Sequence, residues 1–532
     1  MSDSIYWNES SPSIELIALN RMGYGHTPSE LERVRQLGFK NYVEEQLYPN
    51  ENQDTVVLQK LSFTRLHIGY THKGNKVAED RPLQYLQSSI PQLWKLIQSG
   101  DKLSYEEKIR PLQEVRAATW LRAVYSKWQL REVLTDFWHN HFNVNAAKEE
   151  RIAATFPVYD REVIRKNCLG NFRIFLEDVA KSTAMQYYLD NVSSKASPAN
   201  ENYARELFEL HTLGASYYYN HLYNRWKEVP GALTGSPVGY IDEDVYEAAR
   251  AFTGWTVANG SDNGKGEHFP DTGTFLYYEG WHDHYQKRIL GTELPPNQPP
   301  LADGQKVLDL VAFHPATALH ICTKLCQRLI ADQPTKDTIQ QAVRVWNENQ
   351  QQPDQIRRVV RTILLSEEFA KSWGRKIKRP NELVASFLRA TQTDFIPDAS
   401  FLWASSQIGY HLFEWPTPNG HPDTGTYWLN SQMMLARWRI MEVMFQDWFK
   451  SCKINWQQLP SVTNLTARQI ADQYLKQITG RTISDKTQEV VANFLAVGGS
   501  IDEPPIGNTE EIQSRLKNTI SLIGMLPEFQ IR

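Results

Sequence analysis

The densest group of titratable side chains in this 532-residue chain lies in residues 200–214, Asn-Glu-Asn-Tyr-Ala-Arg-Glu-Leu-Phe-Glu-Leu-His-Thr-Leu-Gly. The segment carries three carboxylates, one guanidinium and one imidazole. Carboxylates and imidazoles transfer protons and bind metals, and an arginine orients anionic groups. We therefore predict four catalytic candidates here: Glu201, Arg205, Glu206 and Glu209.

The local sequence predicts that this segment is one helix. Ser197 with Pro198 is typical of a cap followed by proline at the first helical position, and Gly214 is typical of a helix end. At about 100° per residue, one polar arc of about 140° holds the following side chains: Glu201, Asn202, Arg205, Glu206, Glu209 and Thr212. His211 points to the apolar side. The alternative is a solvated amphipathic helix with an i, i+4 ion ladder and a core histidine.

A second group, Asp136, His139 and His141, lies near the end of another predicted helix. Asp136 and His139 are three residues apart and share a face, as metal-binding carboxylate and histidine pairs do in di-metal bundles. Many structural helices contain the same pair. His139 and His141 point about 200° apart, so both bind one metal only if the helix ends between them.

Three further groups carry chemically useful residues. His282 and Asp283 follow a candidate strand and supply ligand types for zinc or iron, although an Asp-capped turn is the commoner explanation. His314 precedes Pro315 and is typical of a helix start. The cysteines predict buried thiols rather than a disulfide scaffold: Cys168, Cys322, Cys326 and Cys452.

Several functions are disfavoured by the sequence. It contains no dinucleotide-binding glycine motif, phosphate-binding loop or serine nucleophile elbow. The net charge of −4 and the absence of a basic stripe argue against a nucleic-acid partner. No run approaches the roughly 18 apolar residues of a membrane span. Residues 1–8 show no secretory signal, which predicts a cytoplasmic protein.

Most of the chain has helical periodicity, which predicts a mainly α, large multi-helix globular fold. Residues 229–303 are rich in turn signals and predict an irregular insert with a short strand near residues 274–278. We therefore divide the chain into an N-terminal helical region (residues 1–228), this insert, and a C-terminal helical region (residues 304–532), all within one compact unit. A proline-rich loop at 414–426 is typical of segments that rim a site.

Taken together, these stretches resemble the bacterial family DUF1800 over about residues 15–532. The segments that carry the resemblance, in chain order, are residues 19–25, 27–28, 137–142, 200–211, 249–255, 282–291, 314–317, 376–382, the proline loop ending at Gly420, and 527–532. The most specific of them is Asn-Glu-Asn-Tyr-Ala-Arg-Glu-Leu at 200–207.

The resemblance implies a group without a settled activity. Many members are exported, and the missing signal departs from them. Their genes often lie beside those of DUF1501 proteins, which resemble alkaline phosphatases and sulfatases, so the resemblance implies a DUF1501-like partner protein. It also implies that the polar residues identified above recur in the family's motifs.

We predict a metal-dependent enzyme that carries out metal-assisted hydrolysis or oxidation on an unknown substrate. The expected ligands of a divalent transition metal, iron or zinc, are His139, His141, Glu206, Glu209, His282 and Asp283. The expected supporting residues are Asp136, Asn202 and His211. One alternative is a non-catalytic scaffold with a buried Glu/Arg/His network. Another, suggested by 16 tryptophans, is a carbohydrate-binding protein with aromatic residues lining an exposed groove.

Overall fold

Helices make up most of the structure, as predicted. The computed structural model describes residues 11–446 and 448–532. Within these residues there are 24 α-helices and eight short strands. The strands pair as four separate two-stranded antiparallel sheets. The mainly α fold class is therefore confirmed.

The region before residue 229 contains eleven of the helices in the described chain. They are α1 (Ile14–Arg21), α2 (Pro28–Leu37), α3 (Phe39–Leu47), α4 (Thr55–Phe63), α5 (Ile90–Gln98), α6 (Tyr105–Tyr125), α7 (Gln129–His141), α8 (Glu150–Val158), α9 (Phe172–Lys181), α10 (Thr183–Tyr188) and α11 (Asn202–Glu206). Two of them continue directly into wider π-helical segments: π1 (Tyr159–Arg165) after α8 and π2 (Leu207–His211) after α11.

Local sequence explains where many of these helices begin. Thr27 accepts a hydrogen bond from the Glu30 backbone N–H at 3.1 Å, and Pro28 occupies the first helical position. The cap predicted for α2 is therefore confirmed. The hairpin of β1 (Arg65–His72) and β2 (Asn75–Pro82), in which Leu66 and Ile68 face inward, was not predicted from the sequence.

The turn-rich insert contains one helix and two small sheets. Its elements are α12 (Asp242–Ala251), β3 (Trp255–Asn259), β4 (Asp271–Tyr277), β5 (Lys287–Ile289) and β6 (Thr292–Leu294). The strand predicted near residues 274–278 corresponds to β4, which pairs with β3. The insert is thus irregular between short elements, as expected.

The C-terminal region is again helical. Its elements are α13 (Ala302–Ala312), α14 (Pro315–Leu329), α15 (Lys336–Glu348), α16 (Gln355–Leu364), α17 (Glu367–Ala370), α18 (Pro380–Ala390), β7 (Asp394–Phe395), α19 (Ala399–Ser406), α20 (Ser431–Val443), β8 (Cys452–Lys453), α21 (Ala467–Thr479), α22 (Asp485–Ala496), α23 (Thr509–Met525) and α24 (Pro527–Gln530). His314 caps α14 through its ring nitrogen, as its position before Pro315 predicted.

One large hydrophobic cluster extends from Leu16 to Phe529 and draws on all three regions of the described chain. It places α7, α14 and α18 in the interior, where most of their residues are buried. All four cysteines are buried and unpaired, which confirms the prediction for them. No helix among the described residues is long and apolar enough to cross a membrane.

The proline-rich loop is held in place by α7. The Asn140 side chain donates to the His421 carbonyl at 2.7 Å and accepts from the His421 N–H at 2.6 Å. Asn143, just beyond the helix, donates to the carbonyls of Trp415 and Thr417. Gly420 packs closely on Asn140. A β-carbon at position 420 would lie 2.2 Å from the backbone carbonyl oxygen of Asn140. The loop therefore has a defined position beside the end of α7.

Candidate functional site

The predicted glutamate helix is shorter than expected and changes its winding. It begins at Asn202, not at Pro198, and Glu201 is the residue before the first turn. Its second half is π2, which ends where the Gly214 N–H donates to the Phe208 carbonyl at 3.0 Å. π-Helical turns inside helices are frequent at functional sites.

The outer face of this helix is an exposed ion pair. Arg205 bonds Glu201 at 3.2 Å, and it also contacts Asp242 at 3.5 Å and the Tyr218 hydroxyl at 3.3 Å. Asn202 donates to the Leu189 carbonyl at 3.2 Å. This part of the helix matches the alternative of a solvated ion ladder, and such pairs contribute little to stability.

Glu206 differs from its exposed neighbours. Its carboxyl is half-buried and bonds no other side chain among the described residues. Burial, together with the nearby Glu209 carboxylate, raises the pKa of Glu206 to about 7. A carboxyl with such a pKa can exchange a proton near neutrality. It lies close enough to Tyr188 to influence that residue, whose hydroxyl donates to the Pro416 carbonyl of the proline-rich loop.

Three polar residues of α7 contact three different parts of the structure. His139 Nε2 lies 3.0 Å from Asp160 Oδ1, with Arg122 beyond it at 3.6 Å. Asp136 forms ion pairs with Arg328 and Arg379. His141 points the other way, toward α14 and π2. The opposite directions of the two histidines agree with the angle of about 200° predicted from the sequence.

Asp136 is part of a buried ion network centred on Glu382. We call the network formed by Asp136, Glu382, Arg328, Arg379 and Arg532 the carboxylate network. Arg328 and Arg379 form charged hydrogen bonds with both carboxylates, and Arg532 forms an ion pair with Glu382 at 3.1 Å. All five are below 10% exposed. Burial alone would raise the pKa of Glu382, but the arginines hold it well below its usual range.

His141 belongs to a second group in the interior, which we call the histidine cluster: His141, His211, His320 and Lys324. The His141 ring centroid lies 6.2 Å from those of His211 and of His320. Lys324 Nζ lies 2.9 Å from His141 Nδ1, and His141 Nε2 lies 3.1 Å from the His211 carbonyl. Gly214 leaves room for His320, because a β-carbon there would lie 2.9 Å from His320 Nδ1.

These contacts fix how the protons are arranged on His141. A carbonyl only accepts, so His141 Nε2 carries the hydrogen and Nδ1 accepts from Lys324. The ring is therefore neutral in this arrangement. Burial and the nearby Lys324 lower the pKa of His141 well below its usual value, and they lower that of His211 to about 3. Burial lowers the pKa of His320 to about 4, with Lys324 adding to the effect.

Lys324 has no carboxylate partner within ion-pair distance in the described part of the chain. Burial lowers the pKa of its amine to about 8, and the more distant Asp423 opposes this only in part. Lys324 and His320 are partly exposed, whereas His211 is fully buried. Both ring nitrogens of His211 lack a hydrogen-bond partner in the described structure. The cluster thus holds proton-carrying groups without a neutralising anion.

The remaining predicted residues lie in the insert, in a separate arrangement. His282 Nδ1 donates to the Thr253 carbonyl at 2.8 Å, and its Nε2 lies 3.3 Å from Asp303 Oδ2. Asp283 forms two hydrogen bonds with Arg250, at 2.8 and 3.0 Å. Lys287 joins the same group through Asp303. Each charged group here is paired with an opposite one.

The structure does not bring the six predicted metal ligands to one point. His139 faces Asp160, His141 faces Lys324, and Asp283 faces Arg250. Across residues 11–446 and 448–532, no three His, Cys, Asp or Glu side chains are grouped so that they could hold a metal ion. The residues present therefore do not fit a metal centre in this arrangement. Among all the predicted site residues, α7 and π2 bring together His141, a predicted ligand, and His211, a predicted supporting residue.

The contribution of α14 was not predicted from the sequence. His320, Lys324 and Arg328 are four residues apart and form one polar stripe along an otherwise apolar helix. Lys324 contacts the histidine cluster and Arg328 the carboxylate network. The i, i+4, i+8 spacing was visible in the sequence. The partners of this face come from distant parts of the chain, so the spacing alone did not identify them.

The fold and these two groups define a mainly helical protein that positions a histidine–lysine cluster beside a buried arginine–carboxylate network. A family model described as "Protein of unknown function (DUF1800)" matches residues 17–531. The chain belongs to this family, which confirms the resemblance seen in its motifs. No curated protein and no solved structure matches the chain.

Proposed function

We propose that this protein is an enzyme that uses the Lys324–His141 pair for general acid–base catalysis. The observation that carries the proposal is the 2.9 Å contact of a desolvated lysine amine with a neutral imidazole, without a carboxylate partner in the described structure. Buried lysines that serve only structure are normally paired with an anion. Lys376 follows this rule, since its amine lies 2.7 Å from Asp332.

The chemistry follows from the pKa of the amine. With a pKa of about 8, Lys324 populates both the ammonium and the free amine near neutral pH. It can donate a proton to a substrate and also remove one. His141 holds the amine in place, and its own orientation is fixed by the hydrogen bond to the His211 carbonyl. His141 and His211 therefore act as positioning residues.

Glu206 supplies a second proton carrier, on the helical segment α11–π2 that also contains His211. It directly precedes π2, whose last residue is His211, so the π-helical winding fixes how the carboxyl and the histidine cluster are oriented relative to each other. A substrate that reaches both groups would meet one acid and one base with pKa values of about 7 and about 8.

Two sequence-based hypotheses stay open to experiment. A metal-dependent reaction stays a prediction, and elemental analysis of the purified protein tests it. A DUF1501-like partner also stays a prediction, and co-purification tests it. The scaffold alternative has its best support in the carboxylate network, in which both carboxylates are paired with arginines.

The experiment for acid–base catalysis compares metabolite consumption by the native protein and by two variants. Each is incubated with a small-molecule extract, and the composition is followed by mass spectrometry. We expect at least one metabolite to be consumed by the native protein and at least 100-fold more slowly by Lys324→Met. Lys376→Arg keeps a paired cation elsewhere and serves as the matched control. Equal turnover by Lys324→Met and the native protein would overturn the proposal.

A further inference from the structure

A separate cavity lies between β1, α6, α19 and the segment 410–414. Its volume is about 360 Å³, within the range of small-molecule sites. None of the residues of the histidine cluster or the carboxylate network lines it. Tyr410 connects it to the interior, since the Tyr410 hydroxyl donates to Asp136 at 3.0 Å. The cavity is thus a distinct site with a rigid wall.

Three aromatic side chains line this cavity: Trp120, Trp403 and Tyr410. Trp120 is buried at 3% exposure, and the Tyr410 ring is fixed by stacking on His421 at 4.0 Å. Trp403, in contrast, is 66% exposed at the rim. A flat, partly apolar ligand that covers this indole would remove apolar surface from water, which is favourable.

Both arginines of the cavity are engaged by acidic or carbonyl groups, whereas the Glu106 carboxylate has no ion-pair or hydrogen-bond partner in the described structure. Arg116 forms an ion pair with Glu414 and donates to the Gln113 side chain at 3.3 Å and to the Leu412 carbonyl at 3.2 Å. The guanidinium of Arg110 donates to the carbonyls of Arg81 and Pro82 and forms an ion pair with Glu114. An anionic ligand would therefore find no uncompensated cation on this wall, and the Glu106 carboxylate would repel it, which disfavours an anionic occupant.

Polar groups of the cavity nevertheless keep free hydrogen-bonding positions. The Trp120 indole N–H and the Gln113 amide N–H donate to no other described residue. The Glu414 carboxylate, at 30% side-chain exposure, retains acceptor positions beyond its ion pair. Donors and acceptors are therefore presented side by side around an aromatic surface.

We propose that this cavity binds a neutral saccharide. The C–H face of a sugar ring is apolar and stacks on an indole such as Trp403, while its hydroxyls both donate and accept hydrogen bonds, which matches Gln113 and Glu414. Sugar binding does not depend on the proposed acid–base chemistry, because different residues carry it. A neutral aromatic ligand is the competing occupant.

The test uses cellobiose, maltose and N,N′-diacetylchitobiose as saccharide probes and phenol as the aromatic probe, with binding followed by saturation-transfer NMR and calorimetry. We expect at least one disaccharide to bind saturably. Binding should weaken at least tenfold in Trp403→Ala and in Gln113→Leu. Trp438→Ala is the matched control, since Trp438 is also exposed, at 44%, and does not line the cavity.

Three outcomes would overturn the proposal: no saturable binding of any disaccharide, unchanged affinity in Trp403→Ala, or saturable binding of phenol alone. Because Trp403 is exposed, its replacement should leave the fold intact. Lys324→Met should bind the disaccharide as the native protein does. Loss of turnover with intact sugar binding, or the reverse, therefore separates this inference from the proposed catalytic function.

Discussion

The carboxylate network and the histidine cluster both include residues of α14, one turn apart. They differ in whether the cation on that helix has an anionic partner. Arg328 forms ion pairs with both Asp136 and Glu382. Lys324, one turn earlier, has only the neutral His141 as a hydrogen-bond partner among the described residues. The first arrangement stabilises the fold. The second keeps a destabilising amine in the interior, which natural proteins tolerate mainly where function requires it.

The largest expected effect comes from breaking the compensated side of this comparison. Glu382→Gln removes a charge that accepts hydrogen bonds from Arg328 and Arg379 and forms an ion pair with Arg532. We expect the free energy of unfolding to fall by about 3 to 5 kcal/mol, because buried guanidinium groups lose their anion. Urea denaturation measures this. Glu367→Gln, whose side chain is 93% exposed, should change it by less than about 0.5 kcal/mol.

A smaller loss is expected where the backbone makes room for the histidine cluster. Gly214 has φ +93° and faces His320. Gly214→Ala should lower the free energy of unfolding by about 2 to 3 kcal/mol, because strain at positive φ adds to steric overlap. Gly235→Ala, at φ +75° with open space around it, should cost about 1 kcal/mol from the backbone alone. Equal losses would show that His320 is not packed as described.

Replacing the uncompensated amine should have the opposite sign. Lys324→Met should raise the free energy of unfolding by about 1 to 2 kcal/mol at pH 7, since it removes a poorly solvated cation. Lys376→Met, which leaves Asp332 without its partner, should lower it by about 2 kcal/mol. Thermal unfolding of the two variants at matched buffer conditions distinguishes them. A destabilised Lys324→Met would mean that Lys324 is structural.

The advantage of Lys324→Met should also depend on pH. The pKa of Lys324 is about 8 in the folded protein, below the roughly 10.4 of an unfolded lysine. The unfolded chain therefore binds more protons between these values, so the stability of the native protein rises with pH across this window. The difference between variant and native protein should be largest below pH 8 and should shrink toward pH 10.

The smallest expected effect concerns Glu206. Its folded pKa of about 7 lies above the roughly 4.3 of an unfolded glutamate, so the folded protein binds more protons between these values. Native stability should fall as pH rises through this window, and Glu206→Gln should remove the decline. Unfolding curves at pH 4 and pH 8 measure it. Glu201→Gln, at an exposed position, should follow the native profile.

Local sequence predicted much of the fold but not the hairpin of β1 and β2. Thr27 with Glu30, and His314 with Pro315, identified helix starts because a cap is a short-range interaction. The hairpin has only two well-buried residues, Leu66 and Ile68, in sixteen strand residues. Such a weak alternation does not stand out among helical segments.

The candidate site was harder to predict, because its partners come from distant parts of the chain. Periodicity gave the directions of His139 and His141 correctly, since both lie on one regular helix. It could not show that His139 would meet Asp160 or that Lys324 would meet His141. The change from α11 to π2 also alters the angle between Glu206 and His211, and no local signal in the sequence predicted that change.

The last turns of α7 hold three otherwise separate regions in register. Asp136 enters the carboxylate network, Asn140 holds the proline-rich loop through two hydrogen bonds, and His141 enters the histidine cluster. Fraying of this short segment would release all three at once. Backbone amides of α7 and of residues 415–423 should consequently exchange with deuterium as one cooperative unit. The catalytic candidates and the proline-rich loop should therefore keep or lose their defined positions together.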